Sequence, residues 1–124
     1  YVDHDTEAVK RARQLGIKII DICQPTADLI AEMHTVKKLM SSSLHGLILA
    51  DAYGIPNARV SITGKLVGKD FKFEDYYASV DRAVKDCHRL DANLTVSNLD
   101  SIKFNDSIVF NSNLLLEAAP WEIL

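Results

Sequence analysis

Apolar and polar residues follow each other at the spacing of helices and strands that alternate along the chain. Over residues 5–15 the apolar positions recur with helical period, acidic residues come early and basic residues late. Asp5 or Thr6 can cap this helix, and Gly16 ends it. Its predicted buried stripe comprises Ala8, Val9, Ala12 and Leu15.

The next residues predict a strand, a second helix and another strand. Residues 17–23 are rich in β-branched side chains with apolar residues at alternate positions, which is typical of a strand. A helix is predicted to start at Thr26, directly after Pro25. Leu39 and Met40 predict a short strand.

The chain is organised around the stretch that follows. Three consecutive serines, residues 41–43, precede a run without helix breakers, and Gly54 and Pro56 come after it. Serine is typical of a helix start, and glycine followed by proline is typical of a helix end. We therefore predict a strand ending near Ser42 and a helix from His45 to Tyr53.

A strand that turns directly into a helix directs free backbone N–H groups and the positive end of the helix dipole at one point. That point favours a phosphate or a carboxylate. His45 lies in the first turn, and imidazole is well suited to proton transfer near neutral pH. The alternative is a serine-rich cap with a histidine that only bonds to the backbone.

The second half of the chain is less regular. It predicts a strand over 58–63, a loop over 64–70 and a long helix over 73–90. Residues 91–106 are interrupted by asparagine and aspartate, and we expect short extended pieces there. A last helix is predicted over 107–118. Alternating strands and helices at this spacing predict an α/β domain, with a mainly parallel sheet flanked by helices.

Composition narrows the classes of function. The 124 residues carry a formal net charge of -3, whereas a general nucleic-acid binder should be basic. No apolar run is long enough to predict a membrane span, and the first residues do not show the basic start and apolar region expected of a signal segment. Cys23 and Cys87 predict two free thiols in a reducing compartment. The two cysteines and the adjacent His88 do not have the spacing of a metal site.

The central block resembles a known family. Ser42-Ser43-Leu44-His45-Gly46, followed by Ala50-Asp51-Ala52-Tyr53-Gly54-Ile55-Pro56, is similar to the polysaccharide pyruvyl transferases. The resemblance continues through 64–66 and 72–77, and it is weaker at 1–5 and 115–120. It covers most of the chain in order, and the block from Ser42 to Pro56 is its specific part.

The resemblance implies a fold, a location and partners. These enzymes are two facing Rossmann-like halves, similar to the GT-B glycosyltransferases, and residues 1–124 would be one Rossmann-like domain, the C-terminal half. Tyr1 and Val2 look like the end of a strand, so we expect a missing N-terminal domain and no turnover without it. A surface including Leu114–Leu116 and Trp121 predicts self-association as a homo-oligomer. The cytoplasm is the expected location, with the inner face of the membrane as the alternative.

The resemblance also implies a reaction. The family moves pyruvyl from phosphoenolpyruvate onto two hydroxyls of a sugar as a cyclic ketal. The expected partners are phosphoenolpyruvate and a glycan or lipid-linked sugar of an exopolysaccharide or cell-surface glycan, with no cofactor and no metal. His45 would be the acid or the base, and Ser42, Ser43, Leu44 and Gly46 would hold the donor anion.

One position departs from the family pattern. Many members carry an arginine two residues before the histidine, where this chain has Ser43. Lys65 is the predicted replacement cation, and Arg59 is a less favoured one because a strand could turn it away. His4, Lys72 and Asp75 are further candidates for substrate binding.

Two other functions remain open from the sequence. A nucleotide-sugar domain of a GT-B glycosyltransferase would use the same sheet and bind a diphosphate at the helix after Ser43. A non-catalytic assembly domain would keep the sheet without the donor site, and Ser43 in place of arginine is compatible with that.

Overall fold

The computed structural model describes residues 6–62, 71–106 and 108. This part of the chain forms five helices and three strands. In order they are α1 Glu7–Gln14, α2 Thr26–Met33, β1 Leu39–Ser41, α3 Leu44–Ala52, β2 Asn57–Ser61, α4 Phe71–Ser79, β3 Cys87–Arg89 and α5 Val96–Asp100.

The three strands form one parallel sheet in the order β1-β2-β3. α3 connects the first pair of strands, and α4 lies between the second pair in the chain. Parallel neighbours joined through a helix are the βαβ unit that the alternating pattern predicts. The predicted α/β class with a parallel sheet is therefore confirmed, and the architecture is consistent with a Rossmann-like fold.

Helices cover both faces of the sheet. On one, here the α1 face, Ala58 and Val60 of β2 pack with Ala12 of α1 and with the buried Leu94 and Ile102 beside α5. On the other, the α3 face, Leu47 packs with residues of α4, while Leu39 of β1 contacts the cluster joining α2 and α3. Because side chains alternate along a strand, neighbouring residues of β1 and β2 serve opposite faces.

The first helix forms as predicted. Thr6 occupies the N-cap and its Oγ1 accepts a hydrogen bond of 3.3 Å from the Val9 N–H. Ala8, Val9 and Ala12 are buried, and Leu15 packs beside them. Gly16 has a φ of +84°, a conformation in which other residues are strained, and the helix ends before it.

The predicted strand over 17–23 is wrong. Ile17 and Ile19 pack against the α1-face cluster and Ile20 against the α2–α3 cluster, so the alternation of side chains is present. A strand also needs a backbone partner, and among the described residues β1 pairs only with β2. Residues 17–21 do not form a strand, and Ile22 is exposed.

The long helix predicted over 73–90 is also wrong. α4 ends at Ser79, and the Arg82 N–H bonds to the Tyr77 carbonyl at 3.0 Å across Asp81, which has a φ of +48°. This is the left-handed helix ending that glycine usually provides. Because aspartate takes that position, the sequence gives no stop signal, and Cys87 and its neighbours form β3 instead of a last helical turn.

Residues 91–106 contain a short helix in place of the expected extended pieces. Thr95 and Asn98 cap α5 reciprocally, each side chain bonding to the backbone N–H of the other. An isolated antiparallel bridge pairs Asn57 with Asn105. The predicted loop over 64–70 lies outside the described residues, as does the last predicted helix except for residue 108.

None of the helices within residues 6–62 and 71–106 is long and apolar enough to cross a membrane.

A buried polar network joins the ends of α3 and α4 to the start of β2. Arg82 Nη1 donates to Asn57 Oδ1 at 2.8 Å and lies 3.4 Å from Asp51 Oδ2, with side-chain exposures of 1% for Arg82 and 4% for Asp51. Asn57 Nδ2 donates to Asp51 Oδ1 at 2.6 Å, and the Tyr76 hydroxyl donates to Asp51 Oδ2 at 2.7 Å. Buried charges are tolerated when they are paired and hydrogen-bonded, as here.

The network makes the free energy of unfolding depend on pH in the alkaline range. Burial raises the pKa of Tyr76 first of all, and the hydrogen bond to Asp51 and that carboxylate's charge raise it further. The folded chain therefore favours the neutral phenol. This contribution to stability is complete below the ordinary tyrosine pKa of about 10 and is lost as pH rises towards the raised pKa.

We therefore expect the free energy of unfolding to fall more steeply in the wild type than in Tyr76→Phe between about pH 9 and about pH 11. Urea titrations at several pH values measure both slopes. Parallel curves for the two proteins would show that the Tyr76 hydroxyl is not held in its neutral form by the fold.

Candidate functional site

The site predicted from the sequence lies where β1 turns into α3. β1 ends at Ser41 and α3 begins at Leu44, so only two residues separate strand from helix. Ser43 is the N-cap, but its side chain makes no capping hydrogen bond. The N–H groups of the first helical turn have no partners within the helix. The predicted turn is confirmed, and the serine cap expected there does not form.

Ser41 shapes this turn instead. Its Oγ donates to the Ser43 carbonyl at 3.0 Å and accepts from the Ser43 N–H at 3.0 Å. Gly46 lies against the same side chain: a Cβ atom on Gly46 would clash with Ser41 Oγ and lie 2.9 Å from Ser41 Cβ. Close approach of helix to strand is thus the reason for glycine at position 46.

We expect Gly46→Ala to reduce the free energy of unfolding by about 1–3 kcal/mol, because the added methyl group meets a neighbour that the turn holds in place. The same substitution in a Ser41→Gly background should cost less, since both contacting atoms are then absent. Urea unfolding of the four proteins measures the interaction. An equal cost in both backgrounds would exclude the contact as the cause.

His45 lies in the first turn of α3, as the sequence predicts, and its side chain is exposed. Ser42 is exposed beside it, while Ser43, Leu44 and Gly46 are half-buried. An accessible imidazole therefore lies next to uncapped N–H groups at the carboxyl end of a parallel strand, where open α/β sheets bind ligands. The arrangement can bind an anion and can exchange a proton with it.

Positive charge gathers beside this turn. Arg59 of β2 is aligned with Ser41 of β1, so the two residues lie one strand spacing apart, about 4.8 Å, and share the α3 face. The guanidinium of Arg59 stacks on the Phe73 ring, with its carbon 3.6 Å from the ring centroid, and Lys72 Nζ is 5.5 Å from the same centroid. Leu44 packs against the cluster that contains Phe73.

The strand does not turn Arg59 away, contrary to the sequence-based expectation. Its alternation instead places Arg59 on the α3 face with Ser41. The sequence pattern could have shown this only with the register of β1 and β2 known.

The other predicted residues are distributed differently. Lys72 lies in the first turn of α4 and contacts the Phe73 ring, whereas Asp75 is exposed further along that helix. His4 and Lys65 lie outside the described residues. Residues 6–62, 71–106 and 108 contain no cluster of three or more histidine, cysteine, aspartate or glutamate side chains that could hold a metal ion.

Comparisons with known proteins add one relative to this α/β domain. No family model matches the chain, and no solved structure matches it. The chain is similar to the uncharacterized protein L143 of Acanthamoeba polyphaga mimivirus, with 32% identity over 122 residues. The alignment covers 90% of this chain and 42% of that protein, so the chain spans less than half the length of the relative it matches.

Proposed function

We propose that this domain is the C-terminal, donor-binding half of a polysaccharide pyruvyl transferase with GT-B-like architecture. It would hold phosphoenolpyruvate at the start of α3, and an N-terminal half would complete the cleft and carry most contacts to the acceptor glycan. The observation that carries the proposal is the uncapped start of α3, with His45 exposed in its first turn and Arg59 on the same sheet face as Ser41.

The chemistry requires two protons to leave the acceptor hydroxyls and one proton to reach the donor's methylene carbon. Two sugar hydroxyls form two C–O bonds to the central carbon of phosphoenolpyruvate while the bond to phosphate breaks. One hydroxyl proton is balanced by protonation of the methylene carbon, and the other leaves with phosphate. His45 would act as the acid or the base in one of these transfers.

The donor's negative charge must be held throughout this reaction. The first-turn N–H groups of α3 and the positive end of its dipole favour an anion. Arg59 and Lys72, which both contact the Phe73 ring, would add positive charge in place of the arginine that many family members carry at the position of Ser43. Lys65 remains a further candidate from the sequence.

Ser43→Asp tests this anion site. Aspartate is a good N-cap, so the variant should be as stable as the wild type or more so. Its carboxylate would stand where the donor anion binds, and we expect the apparent affinity for phosphoenolpyruvate to fall at least about tenfold. Calorimetric titration of the intact protein measures the affinity, and urea unfolding measures the stability.

Ser97→Asp is the matched control, because it adds the same charge to the first turn of α5 at an exposed position. It should leave the affinity for phosphoenolpyruvate unchanged. Unchanged affinity in Ser43→Asp would show that phosphoenolpyruvate does not bind at the start of α3. Tight binding of a nucleotide diphosphate sugar in place of phosphoenolpyruvate would favour the glycosyltransferase alternative, and binding of neither would favour an assembly domain.

A further inference from the structure

A second pocket lies at the carboxyl end of β3, on the α1 face of the sheet. It has a volume of about 210 Å³ and is open on one side. Residues 88–91 form one wall, and Leu94 and the end of α5 close the other. Its residues are separate from those around the start of α3, so it stands independently of the proposed pyruvyl transfer.

The floor of this pocket is part of the core. Leu90, Leu94 and Ile102 are buried with exposures of 6%, 2% and 9%, and they belong to the same cluster as Ala12 and Val60. A floor built on packed side chains keeps its shape when the pocket is empty. The base of the pocket is therefore preformed, while most of the surface that faces a ligand is polar.

Its rim offers both hydrogen-bond donors and acceptors. Asp91 uses Oδ1 to accept from the Asn93 N–H at 2.9 Å, and its other carboxylate oxygen has no partner within the described part of the chain. Asn98 uses Oδ1 for the Thr95 backbone and hydroxyl, which leaves its amide N–H groups as donors. The Ser101 hydroxyl donates to the Asn98 carbonyl, and its oxygen can still accept a hydrogen bond.

His88 and Arg89 complete the rim. His88 Nε2 accepts from the Lys103 N–H at 3.4 Å, so a neutral ring carries its proton on Nδ1 and is a donor there. Arg89 is exposed and makes no ion pair with Asp91, although both line the cavity. One positive and one negative side chain leave the pocket without net charge.

We propose that this pocket binds one neutral monosaccharide unit. A sugar ring presents several hydroxyls, which can donate to Asp91 and accept from Arg89 and Asn98 on the polar rim. A ligand of either charge would meet one side chain of like charge, Arg89 or Asp91, so the rim favours a neutral ligand. None of the lining residues is a phenylalanine, tyrosine or tryptophan on which a nucleobase could stack. The cavity is smaller than the roughly 300–1,000 Å³ of drug-sized sites, which suits a single ring.

The test uses methyl glycosides of glucose, galactose and mannose as probes for the intact protein. Saturation-transfer NMR detects binding, and titration gives the dissociation constant. We expect at least one glycoside to bind saturably. Asp91→Asn keeps an oxygen for the Asn93 N–H but loses the charge, and should weaken binding about tenfold. Arg89→Gln should also weaken it.

Asp100→Asn is the control, since Asp100 is exposed on α5 and does not line the cavity. It should bind the glycoside like the wild type. Three results would overturn the proposal: no glycoside binds, binding persists unchanged in both pocket variants, or inorganic phosphate or alanine displaces the glycoside. Because Ser43→Asp leaves this pocket intact, it should bind the glycoside normally even where phosphoenolpyruvate binding fails.

Discussion

Arg82→Ala should lose about 3–5 kcal/mol of unfolding free energy, a large part of the stability of a domain this size. The substitution leaves the Asp51 carboxylate buried without its positive partner. It also removes the donors to Asn57 Oδ1 and to the Asn57 and Val84 carbonyls. A buried charge without compensation is among the most destabilising changes known. Urea unfolding followed by circular dichroism measures the loss.

Two further variants separate the network from loss of an arginine in general. Arg13→Ala removes an exposed arginine from α1 and should change stability by no more than about 0.5 kcal/mol. In the double variant Arg82→Ala/Asp51→Ala no charge remains buried, so its cost should be smaller than the sum of the single costs. A loss below about 1 kcal/mol for Arg82→Ala would show that water replaces the missing partner.

His45→Asn should keep the fold and reduce the rate of pyruvyl transfer by the intact enzyme by about two to four orders of magnitude. Asparagine preserves the size of the side chain and a hydrogen-bonding nitrogen, but it cannot exchange a proton near neutral pH. His45 is exposed and makes no side-chain hydrogen bond within the described residues, so stability should hardly change. Ketal formation and urea unfolding measure the two effects separately.

His34→Asn is the matched control, because His34 is also exposed and lies at the end of α2, where it packs edge-on against Tyr53. It should retain full activity. If His45→Asn instead loses stability while each folded molecule stays active, the imidazole braces the turn and takes no part in proton transfer. His45 would then be the histidine that only bonds to the backbone, which is the alternative that the sequence leaves open.

The regular middle of the chain was predictable because its signals are local. The run from β1 through α3 to β2 follows from three serines, an unbroken apolar stretch and the pair Gly54 and Pro56, and its bounds differ by one or two residues from those in the structure. The end of α4 was not predictable, since Asp81 adopts the left-handed conformation at a position where glycine would have indicated the end of the helix. Thr95 and Asn98 did carry a local signal for α5, in the spacing of a capping box.

The candidate site was predictable only in its local part. The position of His45 in the first turn of α3 and the direct turn from strand to helix follow from one stretch of sequence. The position of Arg59 relative to Ser41 depends on strand register, which is set by pairing across the sheet. The network of Asp51, Asn57 and Arg82 joins residues up to 31 positions apart, so no window of sequence contains it.

The buried network lies at the amino end of β2, whereas both candidate binding places lie at the carboxyl ends of β1 and β3. Substitutions that change ligand specificity would therefore fall on residues that are not part of the buried network. Lineages descended from a common ancestor can exchange ligand-contacting side chains at one edge while selection for folding acts on the other. Divergence in specificity among such proteins should accumulate around positions 42–46 and 88–91 long before it reaches Asp51 or Arg82.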